Sequence, residues 1–406
     1  MSKISPVVTP SLEPEVVKAE GLRHATIFLD ARQYKKSSFS VQLLECIRTL
    51  GIPSWSSKLN AQDLVIYKVS GSLTNAVFFV SCPTVPGVTT LLLRIYGPSS
   101  GSLISRPREL RILHILSSRY NIGPKVYGTF ENGRMEEYFP AKTLTAQEMR
   151  APQISRWIGA RMAELHSVPI NVIEETSPDI TSEGNGWELG ARQNVKSWFA
   201  PAKDAVMHPN FPQSVRDELN LDKFREEWAS YMKWLRNVDD MHGGSRRVFA
   251  HNDTQYGNLL RLEGVEVRAP HRKLIVVDFE YASPNPASYD IANHFSEWTY
   301  NYHTSTPHIP DESRYPTRQE RENFYLSYLE HVGAPSLEPL SQQAKKLEDQ
   351  VRYWSPACNA IWCIWGLVQA TDDVIGNVVE PEFDYVSYSR FHMLAFRRKI
   401  TALGVL

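Results

Sequence analysis

The chain has 406 residues, and its 44 basic and 45 acidic residues give a net charge of -1, which argues against nucleic acid or an anionic membrane surface as a partner. Its hydrophobic content of 42% is typical of a globular protein, and its length exceeds that of one ordinary core, so we expect two lobes. The cysteines form no Cys-x-x-Cys pair, which favours reduced thiols over a zinc site or a disulfide framework: Cys46, Cys82, Cys358 and Cys363.

The sequence contains no run of about 18 apolar residues and no apolar segment of signal-peptide type near residue 1. We therefore predict a cytoplasmic protein without integral membrane contact.

The first part of the chain has the pattern of a β-rich lobe. Residues 1–20 are predicted to be a flexible tail, and the N-terminal lobe is predicted over 21–139 with an amphipathic helix at 40–50. Three apolar runs separated by polar turns predict an antiparallel meander, at residues 64–69, 76–80 and 91–96. A further helix is expected at 105–116, followed by a hairpin at 125–139.

Beyond the hairpin the sequence becomes mainly helical, so residues 140–406 are predicted to form the C-terminal lobe. Residues 137–142 would be the hinge between the two lobes. The periodic segments predict helices at 154–166, 214–238, 289–301, 318–331, 340–373 and 381–402. The stretch 172–212 is rich in Pro, Asn and Ser and receives no assignment.

Two short apolar runs each lead into an aspartate, about 25 residues apart. Asp253 follows Phe249-Ala250, and Asp278 follows the aliphatic run 274–277, while Asn258 lies five residues after the first aspartate. A single aspartate after a strand is commonly a turn residue, but this combination suits phosphoryl transfer. One carboxylate would orient a hydroxyl nucleophile, and the other, with the asparagine, would hold Mg²⁺ on the phosphates of ATP. His251 is expected to be structural and to hold the loop through its backbone.

The sequence has no Gly-x-x-x-x-Gly-Lys-Ser/Thr motif, which excludes a P-loop enzyme. The turn at 70–75 is then the candidate phosphate-covering loop, with Ser72, Thr74 and Asn75 as nucleotide contacts, although it contains only one glycine. Arg94 interrupts an apolar strand, and Glu109 lies in the first turns of the next helix, so Glu109 would hold Arg94 toward the phosphates. The alternative is an edge-strand arginine and a solvated glutamate.

Four segments resemble the choline/ethanolamine kinase family, whose protein-kinase-like α+β fold is shared with aminoglycoside phosphotransferases. They are His-Asn-Asp-x-Gln-x-Gly-Asn at 251–258, Asp-Phe-Glu-Tyr-Ala at 278–282, Asp-Ile-Ala-Asn-His-Phe-x-Glu-Trp at 290–298, and Trp-x-x-Trp at 362–365. The resemblance extends from about residue 60 to the C-terminus and implies a two-lobe fold with a β-rich N-lobe and a mainly helical C-lobe.

The resemblance also implies roles for individual residues. Asp253 would act on the hydroxyl proton, Asn258 and Asp278 would bind Mg²⁺, and Arg94 would contact the phosphates with Glu109 as its partner. Gln255 would lie near the nucleotide and the metal. The hinge, including Glu137 and Phe139, would contact adenine, and Asp290 would brace the catalytic loop.

A quaternary ammonium group donates no hydrogen bonds, so its binding site needs aromatic faces and negative charge. By resemblance, these would be supplied by Glu297, Tyr302, Trp362, Trp365 and Tyr388. Trp362 and Trp365 share a helix face by their spacing, and without the resemblance they would be interpreted as core residues.

The sequence thus predicts an ATP- and Mg²⁺-dependent choline kinase that makes phosphocholine, the first step of phosphatidylcholine synthesis by the CDP-choline route as the resemblance implies. Ethanolamine kinase, or a kinase of dual specificity, is the main alternative. A catalytically inactive kinase-like scaffold is a more remote one. A protein kinase is disfavoured because Asp278-Phe279-Glu280 replaces Asp-Phe-Gly. Family relatives suggest a possible homodimer.

Overall fold

The computed structural model describes residues 18, 20–55, 58–71, 75–96, 105–174, 189–241, 244–333, 336–376 and 383–405. Its contacts divide the chain into two compact units. The first unit contains the described residues up to Ala141 together with Leu262–Gly264 and Val277–Glu280, and the second contains the rest. The division follows Ala141, whereas the sequence prediction placed the lobe boundary after residue 139. The predicted tail at 1–20 lies almost entirely outside the described residues.

The first unit is built on a six-stranded sheet of order β1-β5-β6-β4-β3-β2, in which β1 is parallel to β5 and the other pairs are antiparallel. Its elements are β1 (His24–Ala25), α1 (Ser37–Leu50), β2 (Val65–Gly71), β3 (Asn75–Ser81), β4 (Leu91–Tyr96), α2 (Arg106–Tyr120), β5 (Val126–Phe130) and β6 (Gly133–Glu137). The β2–β3–β4 meander and the β5–β6 hairpin are those predicted from the alternating apolar runs.

The core of the first unit lies between α1 and one face of the sheet. In β4, buried side chains alternate with half-buried ones, as period-2 patterning requires. Leu91 and Leu93 of β4 join Phe78 of β3 and Phe39 of α1 in one buried apolar cluster. This packing fixes which β4 side chains face away from α1, and Arg94 is among them.

The second unit is mainly helical. Its elements are β7 (Ala141–Thr143), α3 (Pro152–His166), α4 (Ile170–Ile173), α5 (Gly190–Met207), α6 (Gln213–Leu219), α7 (Leu221–Met241), β8 (Arg247–Ala250), β9 (Leu259–Leu262), β10 (Leu274–Val276), β11 (Ser283–Pro286), α8 (Ala287–Glu297), α9 (Arg318–His331), α10 (Leu340–Gln369), α11 (Thr371–Val374) and α12 (Tyr385–Ala402). Two small sheets, β10-β9-β7 and β11-β8, contain the strands β9 and β8 that flank the loop 251–258 in sequence.

The 30-residue helix α10 is the centre of this unit and contacts α5, α8, α9 and α12. Its second half is buried over most of its circumference, as expected for a helix covered on several sides. Helix α5 lies in the stretch that the sequence analysis left unassigned. Pro201 in its interior conceals it, because proline is normally read as a helix breaker.

A glycine between α2 and β5 supports the segment that carries Asp278. Gly123 has a φ of +77°, and a Cβ atom there would lie 2.9 Å from the Phe279 ring and 3.1 Å from Leu113. We expect Gly123→Ala to lower the free energy of unfolding by about 3 kcal/mol, because backbone strain and overpacking add. The control is Gly264→Ala, where φ is +64° and an added Cβ atom would have no neighbour within 4 Å. Urea denaturation should show a loss of only about 1 kcal/mol in its free energy of unfolding. Equal losses in the two variants would contradict the packing argument.

Candidate active site

The loop from His251 to Asn258 connects β8 to β9 and is fixed by one buried carboxylate. Asp290, near the start of α8, accepts hydrogen bonds from the backbone N–H of His251 at 2.9 Å and of Asn252 at 2.8 Å. Its Oδ2 also lies 2.9 Å from Nε2 of His166. Burial raises the pKa of Asp290, but the hydrogen bonds from His166 and the loop outweigh it and leave the pKa below its usual value. These contacts support the bracing role predicted for Asp290.

Asn252 gives the loop its shape. Its φ is +66°, and its side-chain amide donates to the carbonyl of Tyr281 and to the hydroxyl of Ser283, each at 2.8 Å. Asn285 donates to its Oδ1 at 2.8 Å, and Asn293 donates to its carbonyl at 3.0 Å. No role was predicted for Asn285 of β11, or for Asn293 within the motif at 290–298, because the sequence alone does not show which side chain an asparagine contacts.

Asp253 is oriented from within the same loop. The Asn258 amide nitrogen lies 2.9 Å from both the carbonyl and the carboxylate Oδ2 of Asp253. Because the amide N–H groups point at Asp253, the atom of Asn258 suited to a cation is Oδ1. Gln255 uses its Oε1 to cap the Gly257 N–H at 2.7 Å, so it helps to shape the loop. The N–H of Asp253 lies 3.3 Å from Nδ1 of His251, in keeping with the structural role predicted for that histidine.

In the first unit a buried network of two arginines and two glutamates joins β4, β6 and α2. Arg134 Nη2 contacts Glu109 at 2.7 Å, and its Nε contacts Glu136 at 2.5 Å. Arg94 Nε lies 3.4 Å from Glu136, an ion-pair distance without a well-formed hydrogen bond. The predicted direct pairing of Arg94 with Glu109 is therefore corrected: Arg134 holds Glu109. The cause is strand register, because Arg94 and Arg134 are cross-strand partners on β4 and β6.

Electrostatics ties Asp278 to this network within the same unit. Burial lowers the pKa of Arg94, but the carboxylates of Glu136, Asp278 and Glu109 outweigh it and raise the pKa overall. Arg94 therefore stays charged. Asp278 also has a φ of +68°. Asn and Asp adopt left-handed backbone more readily than other residues with a Cβ, which permits this conformation at both Asn252 and Asp278.

Aromatic side chains gather in the second unit around the end of α10. The four aromatic residues predicted for the substrate pocket belong to this group, which we call the aromatic cluster: Tyr281, Tyr300, Tyr302, Trp362, Trp365, Phe383 and Tyr388. The Trp362 and Trp365 rings meet edge to face at 5.3 Å. Tyr281 and Tyr300 were not predicted as members, although Tyr281 belongs to the motif at 278–282.

Hydrogen bonds hold the indoles of the aromatic cluster in place. Trp362 Nε1 donates to Asn293 at 2.6 Å, and Trp365 Nε1 donates to the Tyr281 hydroxyl at 2.8 Å. Trp362 is buried, whereas Trp365 is half-buried. The core interpretation of Trp362 is thus partly right, and Trp365 offers the more accessible ring face.

Glu297, at the end of α8, places a carboxyl group beside the aromatic cluster. It is only 3% exposed and accepts a hydrogen bond from the Tyr302 hydroxyl at 2.8 Å. Burial raises the pKa of Glu297 to about 7, against the smaller lowering effect of Tyr302. A carboxyl group with a pKa near 7 beside several aromatic faces is suited to an organic cation. The bound cation would favour the ionised form of Glu297, which burial disfavours.

Several predicted nucleotide contacts are not placed by the structure. Ser72 and Thr74 lie outside the described residues, as does the side chain of Asn75. The Glu137 carboxylate accepts from the backbone N–H of Lys125 at 3.2 Å, and Phe139 is half-buried. Their contacts with a nucleotide stay predictions.

Within the described residues, no group of three or more His, Cys, Asp or Glu side chains could hold a metal ion. No helix in the described part of the chain is both long and apolar enough to cross a membrane.

Comparisons with known proteins identify the fold and the relatives. The family model for choline/ethanolamine kinase matches residues 66–397. Choline kinase of Schizosaccharomyces pombe is 32% identical over 422 residues, covering 90% of each chain, and ethanolamine kinase of Saccharomyces cerevisiae is 30% identical, covering 82% of this chain and 64% of its own. The crystal structure of choline kinase from Cryptosporidium parvum aligns with a TM-score of 0.69 at 23% identity, covering 90% of this chain and 97% of that one. The predicted protein-kinase-like fold is confirmed.

Proposed function

The chain belongs to the choline/ethanolamine kinase family, and we propose that it transfers the γ-phosphate of ATP to the hydroxyl of choline, giving phosphocholine and ADP. Family membership makes the protein a kinase. The observation that supports choline as the alcohol is the aromatic cluster with Glu297 beside it. Release of ADP on addition of ATP, Mg²⁺ and choline tests the proposal, with Asp253→Asn protein as the blank.

Asp253 would be the residue that orients the hydroxyl nucleophile. Its carboxylate is held by the Asn258 amide, and the loop that carries it is held by Asp290. A carboxylate fixed in this way can accept the hydroxyl proton as the oxygen attacks the γ-phosphorus. The rigid loop supplies positioning, which provides much of the rate enhancement when two reactants must be brought into line.

Arg94 would contact the phosphates of ATP, and its raised pKa keeps the guanidinium charged there. Asn258 and Asp278 would bind Mg²⁺, for which their amide and carboxylate oxygens are suitable ligands, with phosphate oxygens and water completing the coordination. When bound, Mg²⁺ supplies positive charge that neutralises the negative charge on the phosphoryl group during its transfer. Gln255, Glu109, Glu137 and Phe139 are proposed to support or contact the nucleotide, as are the residues of the turn at 70–75.

The aromatic cluster and Glu297 would bind the trimethylammonium group. Its methyl groups carry the positive charge diffusely and donate no conventional hydrogen bonds, so ring faces satisfy it better than carbonyl oxygens do. The Tyr302 hydroxyl donates to Glu297, and the Tyr302 ring stacks on Tyr300 with the centroids 5.7 Å apart. Ethanolamine, with three N–H donors, would gain more from Glu297 and less from the rings.

Removing the Trp365 ring should weaken the binding of choline more than that of ethanolamine. We expect Trp365→Ala to raise KM for choline about tenfold, the equivalent of one cation–π contact, and to raise KM for ethanolamine less than threefold. Steady-state assays on both alcohols would measure this. Trp365→Phe is the matched control, because it also loses the hydrogen bond to Tyr281 but keeps an aromatic face. Equal losses on both alcohols in Trp365→Ala would contradict the assignment.

Glu297 should set the acid limb of the pH profile. Because its pKa in the free protein is about 7, it becomes neutral as the pH falls below that value, and the charge that attracts choline is lost. We expect kcat/KM for choline to fall by up to about tenfold for each pH unit below 7. Glu297→Gln should have a lower kcat/KM at pH 8 and a flat profile over this range. A wild-type limb that persists unchanged in Glu297→Gln would show that another group titrates.

The scaffold alternative requires a missing catalytic residue, and Arg94, Asp253, Asn258 and Asp278 are all present. ATP, a divalent metal and a small amino alcohol fit the family. The cytoplasmic location and the homodimer stay predictions.

A further inference from the structure

A cavity of about 900 Å³ lies within the second unit, bounded by α10, α12 and the segment after α8. None of the four residues proposed for catalysis and metal binding lines it. Its wall is largely apolar, with aromatic and aliphatic side chains that include Tyr300, Tyr315, Val351, Phe391 and Leu394. A volume of this size accommodates a small organic molecule.

The polar end of the cavity is built around Lys399. Its ammonium group donates to Ser355 Oγ at 2.7 Å and to Asn359 Oδ1 at 2.8 Å, and both acceptors are neutral. The side chain is partly accessible at the cavity wall but is otherwise surrounded by protein, and this burial lowers the pKa of Lys399 to about 8. An ammonium group in such surroundings is unfavourable unless a negative charge approaches it.

The other cations of the cavity wall are paired with carboxylates, including Arg352 with Asp349, while the wall carboxylate of Asp311 accepts hydrogen bonds from Ser313. Arg321 forms an ion pair with Glu348, and Arg398 forms one with Glu312. Among the described residues, Lys399 is thus the wall cation whose hydrogen bonds all go to uncharged groups. Ser296 also lines the cavity, and its buried hydroxyl oxygen has no hydrogen-bond partner in the described part of the chain.

We propose that this cavity is an effector site for a small organic anion, whose acidic group pairs with Lys399 and whose apolar body contacts the Tyr315, Phe391 and Leu394 wall. The acidic group of the anion would neutralise the positive charge of Lys399, and its apolar part would fill the cavity. A carboxylate and a phosphate monoester share this chemistry.

A chain of contacts leads from Lys399 to the aromatic cluster. Asn359 accepts from Lys399, and its amide nitrogen lies 3.0 Å from Nδ1 of His392. Nε2 of that histidine lies 3.0 Å from the Tyr300 hydroxyl. Burial lowers the pKa of His392 to about 3, so the ring is neutral and can donate from Nε2 while accepting at Nδ1. Tyr300 then stacks on Tyr302.

Tyr300 both lines the effector cavity and belongs to the aromatic cluster. An anion that moves the Lys399 side chain would therefore shift Tyr300 through these contacts. The effect on choline rests on the proposed function, whereas the binding of the anion does not. The two can therefore be measured separately.

Calorimetric titration with octanoate tests the binding site. We expect saturable 1:1 binding to the wild-type protein, at least tenfold weaker binding to Lys399→Met, and unchanged binding to Lys345→Met, which removes an exposed lysine of α10. Octyl phosphate in place of octanoate shows which acidic group is preferred. Octanol binding as tightly as octanoate, or equal octanoate affinity in Lys399→Met and the wild type, would overturn the proposal.

A second variant guards against an indirect effect of the lysine substitution. Ala395 lines the cavity, so Ala395→Trp should fill it and abolish octanoate binding while Lys399 is kept. Undiminished binding in Ala395→Trp would place the anion elsewhere and refute the site.

The effector role is tested with the enzyme saturated by octanoate. KM for choline should change at least threefold in the wild type and stay constant in Lys399→Met. An unchanged KM in the wild type would refute the effector role. Failure of the choline proposal would instead appear as an absence of choline turnover, with octanoate binding intact.

Discussion

Asp253→Asn should lower kcat by about 10³-fold, because it removes the group that accepts the hydroxyl proton and leaves the rest of the loop in place. The loop should persist, since Asn258 also donates to the Asp253 carbonyl at 2.9 Å, a contact that the substitution does not touch. KM for ATP and the melting temperature should therefore stay close to those of the wild-type protein.

Asp204→Asn is the matched control for Asp253→Asn, because Asp204 is exposed on α5. It should be as active and as stable as the wild type. If Asp253→Asn kept more than a tenth of the wild-type kcat, Asp253 would not be the residue that acts on the hydroxyl. Loss of activity together with loss of folding would be read from circular dichroism and would place the residue among the structural ones.

Asp290→Asn should lower the free energy of unfolding by about 3 kcal/mol, the upper end of the range for leaving buried hydrogen-bonding groups without a partner. The carboxylate accepts from two loop N–H groups and contacts His166, and an amide in its place would direct a donor at another donor. Because the same N–H groups position the catalytic loop, kcat should also fall by at least about 100-fold.

Urea denaturation with Asp384→Asn as the control would measure the loss. Asp384 is an exposed N-cap of α12 that accepts from the Ser387 N–H at 2.8 Å, and asparagine caps helices about as well as aspartate does. The control should therefore be neutral. A loss in Asp290→Asn no larger than that of the control would mean that the buried carboxylate does not hold the loop.

The parts of the fold that the sequence predicts well are those with a local pattern. The alternating strands of the first unit and the long apolar periodicity of α10 follow from side-chain spacing alone, and both are found. Helix α5 was missed because Pro201 and the polar composition around it obscure the pattern. Whether such a segment forms a helix depends on its tertiary packing.

The buried network of the first unit shows a different limit. The sequence identifies Arg94 and Glu109 as a cation and an acid worth pairing, but the pairing of β4 with β6 brings Arg134 alongside. Strand register depends on residues far apart in sequence. Nothing in residues 133–137 indicates that Arg134 pairs with Glu109 of α2. The sequence therefore identifies a charged network at this place without its connections.

The aromatic cluster lies between these cases. Trp362 and Trp365 on one helix face are compatible with an ordinary core, and only the resemblance made them pocket residues. The structure brings them together with Tyr302 and Tyr388, and it adds Tyr300, whose sequence position carries no signal. Aromatic side chains from α10, α12 and the segment after α8 converge there because those elements pack on one another, which spacing along the chain cannot reveal.

The most direct test of the choline kinase assignment is a comparison of choline and ethanolamine in one assay of ADP release, with purified protein, ATP and Mg²⁺. We predict turnover of both alcohols well above the Asp253→Asn blank, with kcat/KM at least about tenfold higher for choline, the value of one additional cation–π contact. A kcat/KM for ethanolamine equal to or above that for choline would contradict the choline assignment. No release above the blank with either alcohol would contradict the kinase mechanism itself.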